Sequence, residues 1–106
     1  MRLPRGVVSI RVRIRGRRYT IRFMPARHMG KDWGRCYTPP GPHPLIEIRR
    51  SLQGRNMIDT IVHEVLHAAQ PDMSETGVDE TASAIAIALY AAGCRVDSAR
   101  LKGDRR

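Results

Sequence analysis

The spacing of the hydrophobic residues in this 106-residue chain changes once, near residue 54, and this change limits the folds that it can adopt. In residues 7–23 and 45–49, apolar and polar residues alternate, which is the period of a β-strand with one buried face. In residues 54–69 and 74–93, apolar residues recur every three or four positions, as in amphipathic helices. The pattern therefore predicts a single α+β domain in the order β-β-(loop)-β-α-α.

The first two strands are expected to form a β-hairpin with an arginine-rich outer face. Every second residue is Val or Ile in residues 8–14, and aromatic or Ile in residues 19–23. Gly16 and Arg17 interrupt the alternation, as in a tight turn. Residues 25–44 hold five of the seven prolines, which predicts a loop with a short strand near residues 35–38. Residues 45–49 alternate again and are predicted to be an edge strand.

The two helices are expected to pack against each other in antiparallel orientation. The first is predicted over residues 54–69, and Pro71 prevents its continuation. Ser74 is a good N-cap for the second helix, and Gly93 is a suitable residue to follow its last turn. Because only a short turn separates the helices, the second must fold back onto the first. Residues 95–106 are expected to form a flexible polar tail.

The first helix carries the motif HExxH as His63, Glu64 and His67. Histidines four residues apart project from one helix face, so that both imidazoles can reach one Zn²⁺ at about 2.0–2.1 Å. Glu64 follows the first histidine and points toward the same cleft, where it can act on a water molecule as general base. The motif predicts a zinc-dependent metallopeptidase; the alternative is two surface histidines beside an exposed glutamate.

A catalytic zinc ion needs a third protein ligand, and three acids at the start of the second helix are candidates. Glu75 and Asp79 share a helix face with the apolar residues that must turn toward the first helix, whereas Glu80 points away. The order of preference is therefore Glu75, Asp79 and Glu80, each of which is also an ordinary first-turn acid. Asp59 lies one turn before His63 and either orients that imidazole or favours the helix dipole.

Residues 45–93 resemble the minimal core of gluzincin-type metallopeptidases. Residues 52–55, 59–68 and 71–75, with Val78, are similar to small metallopeptidases encoded by bacteriophages and prophages. The resemblance implies a zincin-like α+β fold, one zinc ion and a peptide or protein substrate, and an acid after the Met-Ser pair, which supports Glu75. It also implies substrate binding along a strand, matched here by residues 45–49, and an oxyanion-stabilising side chain. The available candidates for that side chain are Tyr37, His43 and Tyr90.

The net charge of +9 is concentrated at the N-terminus, where residues 1–31 contain nine arginines and no acid. Such a segment attracts polyanions, and nucleic-acid binding is predicted for the hairpin arginines; the alternative is a solvated face that aids solubility. The residues assigned to this binding are Arg11, Arg13, Arg15 and Arg22.

Two other functions compete with peptide hydrolysis. In the first alternative, the chain is a basic nucleic-acid-binding module with a structural zinc site. In the second, it is a partner-binding protein whose zinc site has lost catalysis. A structural site needs a fourth ligand and no general base, so Glu64 argues against the first alternative. The longest apolar stretch is shorter than the roughly 20 residues that cross a bilayer, and residues 1–5 lack the apolar run of a secretory signal, so neither a membrane span nor a signal peptide is expected. A monomeric cytoplasmic protein without a membrane partner is expected, and the resemblance implies a phage-infected bacterial cell as its location.

Overall fold

The computed structural model describes residues 6–102 and places four strands in one mixed sheet. The strands are β1 (Val8–Ile14), β2 (Arg17–Met24), β3 (Gly34–Cys36) and β4 (Leu45–Arg49). Their order in the sheet is β1-β2-β4-β3. The pairs β1–β2 and β3–β4 are antiparallel, and β2–β4 is parallel. The α-helices among these residues are α1 (Gly54–Ala69), α2 (Glu75–Ala91) and the short α3 (Ser98–Leu101), and Ala26–His28 form one turn of 3-10 helix. The predicted α+β class is therefore confirmed.

The alternation of the strands divides the sheet into an inner apolar face and an outer polar face. The inner face packs against α1 and holds most of the core, and its central residues are at most 3% exposed. Full burial of one such apolar side chain contributes about 1.5–3 kcal/mol to the free energy of folding. The outer face carries the arginines that alternate with these apolar residues. The central core residues of the sheet are Tyr19, Ile21, Phe23, Ile46 and Ile48.

Helix α1 lies between the sheet and α2. Its residues Met57 and Ala68 join the core beneath the sheet, whereas Val78, Ala82 and Ala86 of α2 are fully buried in the packing of α2 on α1. Small side chains at two of these three positions allow the helices to approach closely. This close approach brings the first turn of α2 beside the last turns of α1.

Two sequence predictions about chain organisation are wrong. The strand at residues 45–49 is not an edge strand, because β4 pairs with β2 on one side and with β3 on the other. Residues 98–101 form α3, and Leu101 is buried in the core, so this part of the predicted flexible tail is anchored. Residues 103–106 of that tail lie outside the described residues. Within residues 6–102, no helix is long and apolar enough to cross a membrane.

Candidate metal centre

Helix α1 brings His63 and His67 together on one face, one turn apart. Their Nε2 atoms are 3.1 Å apart, and the ring centroids are 4.8 Å apart in an edge-to-face arrangement. Both side chains are partly buried, at 21% and 27% exposure, so they are accessible from the surface without being fully solvated. The geometry follows from the four-residue spacing, which superposes side chains on consecutive turns of a helix.

Glu75, at the start of α2, completes a group of three potential ligands. Its Oε1 atom lies 3.2 Å from Nε2 of His63 and 3.3 Å from Nε2 of His67. The three donor atoms therefore form a nearly equilateral triangle. Tetrahedral zinc with ligands at 2.0–2.1 Å requires its donor atoms to be about 3.3 Å apart. Two imidazole nitrogens and one carboxylate oxygen are also a common donor set for catalytic zinc, so these residues fit the ion in both chemistry and spacing.

The other two acids considered as ligands take different positions. Oδ1 of Asp79 lies 3.3 Å from Nδ1 of His63, the ring nitrogen that faces away from the triangle. An acceptor at that nitrogen fixes the imidazole tautomer and leaves Nε2 free to bind a metal. Asp79, and not Asp59, is therefore the acid placed to orient the imidazole of His63. Glu80 is exposed, and among the described residues it makes no ion pair with either histidine.

Glu64 is buried between α1 and β3, with only 7% of its surface exposed. A Cβ atom added to Gly34 of β3 would lie 2.7 Å from Cγ of Glu64 and 2.9 Å from its Oε2. Burial raises the pKa of the Glu64 carboxyl above its usual value; the charges of Glu75 and Asp32 raise it further, whereas His63 and His67 lower it. Glu64 is therefore a poorly solvated carboxyl beside the candidate ligands but outside the ligand triangle.

Two surface clefts flank the candidate ligands. The Glu64 cleft has a volume of about 350 Å³ and lies between α1 and the segment that leads into β3. Its lining residues are Lys31, Asp32, Trp33, Gly34, Asp59, Thr60, His63 and Glu64. The His67 cleft, of about 320 Å³, is lined by His67 of α1, by Pro71 of the turn between the helices, and by residues of the β1–β2 hairpin and of the loop after β3. The chain from residue 33 to residue 40 connects the two clefts, with β3 between them.

The strand beside the site is β3, not the segment at residues 45–49. Because β4 is paired on both sides, it has no free edge for a substrate. Within residues 6–102, β3 pairs only with β4, which leaves its other edge open to a further strand. The candidates for oxyanion stabilisation are not placed at the site. Tyr37 donates its hydroxyl to Glu47 at 2.7 Å, Tyr90 lies near Gly54 at the far end of α1, and His43 lines neither cleft.

The structure separates the arginines assigned to nucleic-acid binding. Arg11, Arg13 and Arg22 are on the outer face of the hairpin, where Arg18 joins them because it pairs with Arg13. Arg15 is in the β1–β2 turn and lines the His67 cleft together with Arg17. Gly34, Arg17 and Arg18 are not among the functional residues that the sequence patterns predicted. No signal within a single sequence distinguishes them from other glycines and arginines.

Comparison of the chain with models of protein families, with curated proteins and with solved structures finds no match.

Proposed function

We propose that this protein is a zinc-dependent metallopeptidase. The observation that carries the proposal is the convergence of His63, His67 and Glu75, with donor atoms 3.1–3.3 Å apart, beside the buried carboxyl of Glu64. A structural zinc site uses four protein ligands, whereas a catalytic site uses three and keeps one position open. Among residues 6–102, no fourth His, Cys, Asp or Glu joins the triangle, which supports the catalytic alternative.

In this proposal Glu64 transfers the protons. A zinc ion held by the three ligands would act as a Lewis acid and lower the pKa of water toward about 7. Glu64 takes a proton from the attacking water and later donates it to the departing amine. Burial, which raises the pKa of this carboxyl, favours its uptake of a proton. Asp79 holds the His63 ring so that its Nε2 remains available.

The open edge of β3 is the proposed binding place for the substrate backbone. An extended peptide can add to such an edge through main-chain hydrogen bonds, and side-chain pockets then give selectivity. The edge lies beside Glu64, since Gly34 contacts that side chain, and it leads from the Glu64 cleft to the His67 cleft. A peptide along β3 would therefore place one of its bonds at the candidate ligands.

The test compares wild-type protein, His67→Ala and Glu64→Gln, all purified without a metal-affinity tag. Bound zinc is measured by elemental mass spectrometry, and hydrolysis is measured on a peptide mixture. We expect one equivalent of zinc in the wild type and in Glu64→Gln, and little in His67→Ala. Glu64→Gln should lose about 10²–10⁴-fold in rate, as is typical when a general acid–base is removed. A folded wild type that refuses added zinc would contradict the proposal.

Nucleic-acid binding is a second candidate function, favoured by uncompensated charge on the outer face of the hairpin. Residues 6–24 contain six arginines and no acid. Arg13 and Arg18 are direct cross-strand partners, a like-charge arrangement that destabilises a sheet unless an anion lies over it. Among the described residues, neither of them nor Arg11 makes an ion pair. The hairpin aromatics, Tyr19 and Phe23, are buried on the inner face. A face without aromatics suits the phosphates of a duplex better than the bases of a single strand.

This second function is tested with two triple variants that remove the same charge. Arg11→Gln/Arg13→Gln/Arg18→Gln alters the outer face, whereas Arg27→Gln/Arg55→Gln/Arg100→Gln removes three exposed arginines elsewhere. Binding to a fluorescent DNA duplex is measured by anisotropy at several salt concentrations. We expect only the first variant to bind weakly, with the slope of log K against log[salt] reduced by about 0.9 per lost phosphate contact. Equal losses in both variants would mean that net charge alone drives binding.

A further inference from the structure

The His67 cleft contains two arginines that reach it from the β1–β2 turn. Arg15 and Arg17 line the cleft together with His67 and Thr38. One of the Arg17 Nη atoms donates to the backbone oxygen of Gly41 at 2.7 Å, which ties the side chain to the loop after β3. Among the described residues, neither arginine forms an ion pair. Within residues 6–102, no carboxylate therefore neutralises the charges of the two arginines that line the cleft.

The backbone of the turn makes the arginine at position 15 unusual. Arg15 and Gly16 both have positive φ angles, of 51° and 78°, and they join two antiparallel strands as a two-residue loop. Such loops favour Asn-Gly or Gly-Gly, because a longer side chain is strained at the first position. Residues held in rarely adopted backbone conformations are concentrated at functional sites. The location of Arg15 at the cleft gives a reason for an arginine at this position.

The cleft is also continuous with the proposed path of a substrate. From Gly34 beside Glu64 to Thr38 in the His67 cleft the chain advances four residues, or about 13 Å if fully extended. A peptide paired with β3 would thus extend past the candidate ligands into the His67 cleft. The side chain that it places there would lie up to about four residues from the bond at the candidate ligands.

From these observations we infer that Arg15 and Arg17 form a subsite for an acidic substrate residue, so that the enzyme prefers Asp or Glu near the cleaved bond on the His67 side. This inference rests on the proposed peptidase function. A carboxylate in the subsite would accept charge-assisted hydrogen bonds from the guanidinium groups, which are geometrically matched to it. In this proposal the β3 edge binds the substrate backbone, the candidate ligands lie at the reacting bond, and the two arginines bind one substrate side chain.

The experiment first maps cleavage sites of the zinc-loaded wild type in a peptide library by mass spectrometry. A cleaved sequence is then synthesised in two forms, with Glu or Gln at the subsite position. The variant Arg15→Asn/Arg17→Gln removes both charges, and asparagine suits the turn. Arg27→Gln/Arg55→Gln is the matched control, because it removes the same charge from two exposed arginines that line neither cleft. We expect the double variant to lose about tenfold in kcat/KM on the Glu peptide, as for one charge-assisted hydrogen bond, and less than twofold on the Gln peptide.

Binding measurements separate failure of the subsite from failure of the peptidase proposal. Both peptides are titrated into zinc-loaded Glu64→Gln protein with and without the arginine substitutions. Turnover without a preference for Glu over Gln, or equal losses on both peptides, would overturn the subsite and leave the peptidase standing. If the wild type hydrolyses no peptide of the library, an alanine-based peptide with one Glu and its Gln counterpart are titrated instead. Tighter binding of the Glu form that disappears with the arginine substitutions would then support the subsite and overturn the peptidase.

Discussion

At the scale of single residues, the site depends on a missing side chain. Gly34 has no Cβ, and this leaves the space that the Glu64 side chain occupies between α1 and β3. The same closeness excludes water from one side of Glu64 and contributes to its raised pKa. A residue that carries no chemistry of its own therefore decides where the proposed general base lies.

We predict that Gly34→Ala impairs the site without removing its ligands. The new methyl group would lie 2.7 Å from Cγ of Glu64 and must displace it. Overpacking of this kind costs about 1–3 kcal/mol of unfolding free energy. Zinc content should persist while hydrolysis falls. Gly41→Ala is the control, because a Cβ there meets nothing within 4 Å. Urea denaturation, zinc content and turnover check this, and a fully active Gly34→Ala would contradict it.

A second prediction at this scale concerns the two thiols. Burial, and then the charge of Glu64, raise the pKa of Cys36 from 9.0 to about 11, whereas Cys94 is exposed. Only the thiolate reacts with iodoacetamide, and at pH 8 about one thousandth of Cys36 is ionised. Native protein should therefore be alkylated at Cys94 first, and labelling of Cys36 should increase as the pH rises toward 11. Peptide mass spectrometry measures both sites; equal rates at pH 8 would contradict the prediction.

At the scale of elements, α2 positions one ligand through the way in which it begins. Ser74 is the N-cap, and its Oγ accepts a hydrogen bond from the backbone N–H of Gly77 at 3.0 Å. Glu75 is the first residue of the helix, so its carboxylate also benefits from the positive end of the helix dipole. The start of α2 therefore determines both helix stability and the position of Oε1 in the triangle.

We predict that Ser74→Ala destabilises the protein by about 1 kcal/mol, the usual cost of losing an N-cap side chain. Zinc affinity should fall as well, because the first turn of α2 carries Glu75. Ser83→Ala is the control within the same helix, where alanine has the higher helix propensity and no cap is lost. Urea denaturation and a competitive zinc titration measure the two effects. Equal stability of the two variants would show that the cap contributes nothing.

At the scale of the whole molecule, the candidate ligands come from both long helices. His63 and His67 belong to α1 and Glu75 belongs to α2, so an ion bound by all three would cross-link the helices. Without the ion, α2 is held by small apolar side chains and makes its main contacts with α1, not with the sheet. Metal binding should therefore stabilise the complete fold.

We predict that zinc at 100 times its Kd stabilises the folded state by about 2.7 kcal/mol. For a domain of this size, that corresponds to an increase in Tm of about 10–20 °C. A chelator should reverse the increase, and Mg²⁺ should produce none, because it prefers an all-oxygen octahedral site. His67→Ala provides the matched variant. Differential scanning fluorimetry measures the shifts, and an equal response of His67→Ala to zinc would contradict the prediction.

The features that the sequence by itself determined are those set by neighbours along the chain. Alternation and helical periodicity predicted the hairpin and both long helices, and the structure bears out helix α1 at residues 54–69 and the Ser74 cap. The adjacency of His63 and His67 follows from their spacing on one helix. These features need only the backbone period and local hydrogen bonding, which a single sequence displays.

The remaining features required the tertiary structure because they depend on which segments pair across long separations. An alternating strand has the same pattern at the edge of a sheet and in its interior, so the pattern of residues 45–49 did not reveal that β4 lies between β2 and β3. The approach of α2 to α1 decides that Glu75 lies at Nε2 of His63 and Asp79 at its Nδ1. Likewise, the contact of Gly34 with Glu64 and the position of Arg15 in the His67 cleft arise from chain folding alone.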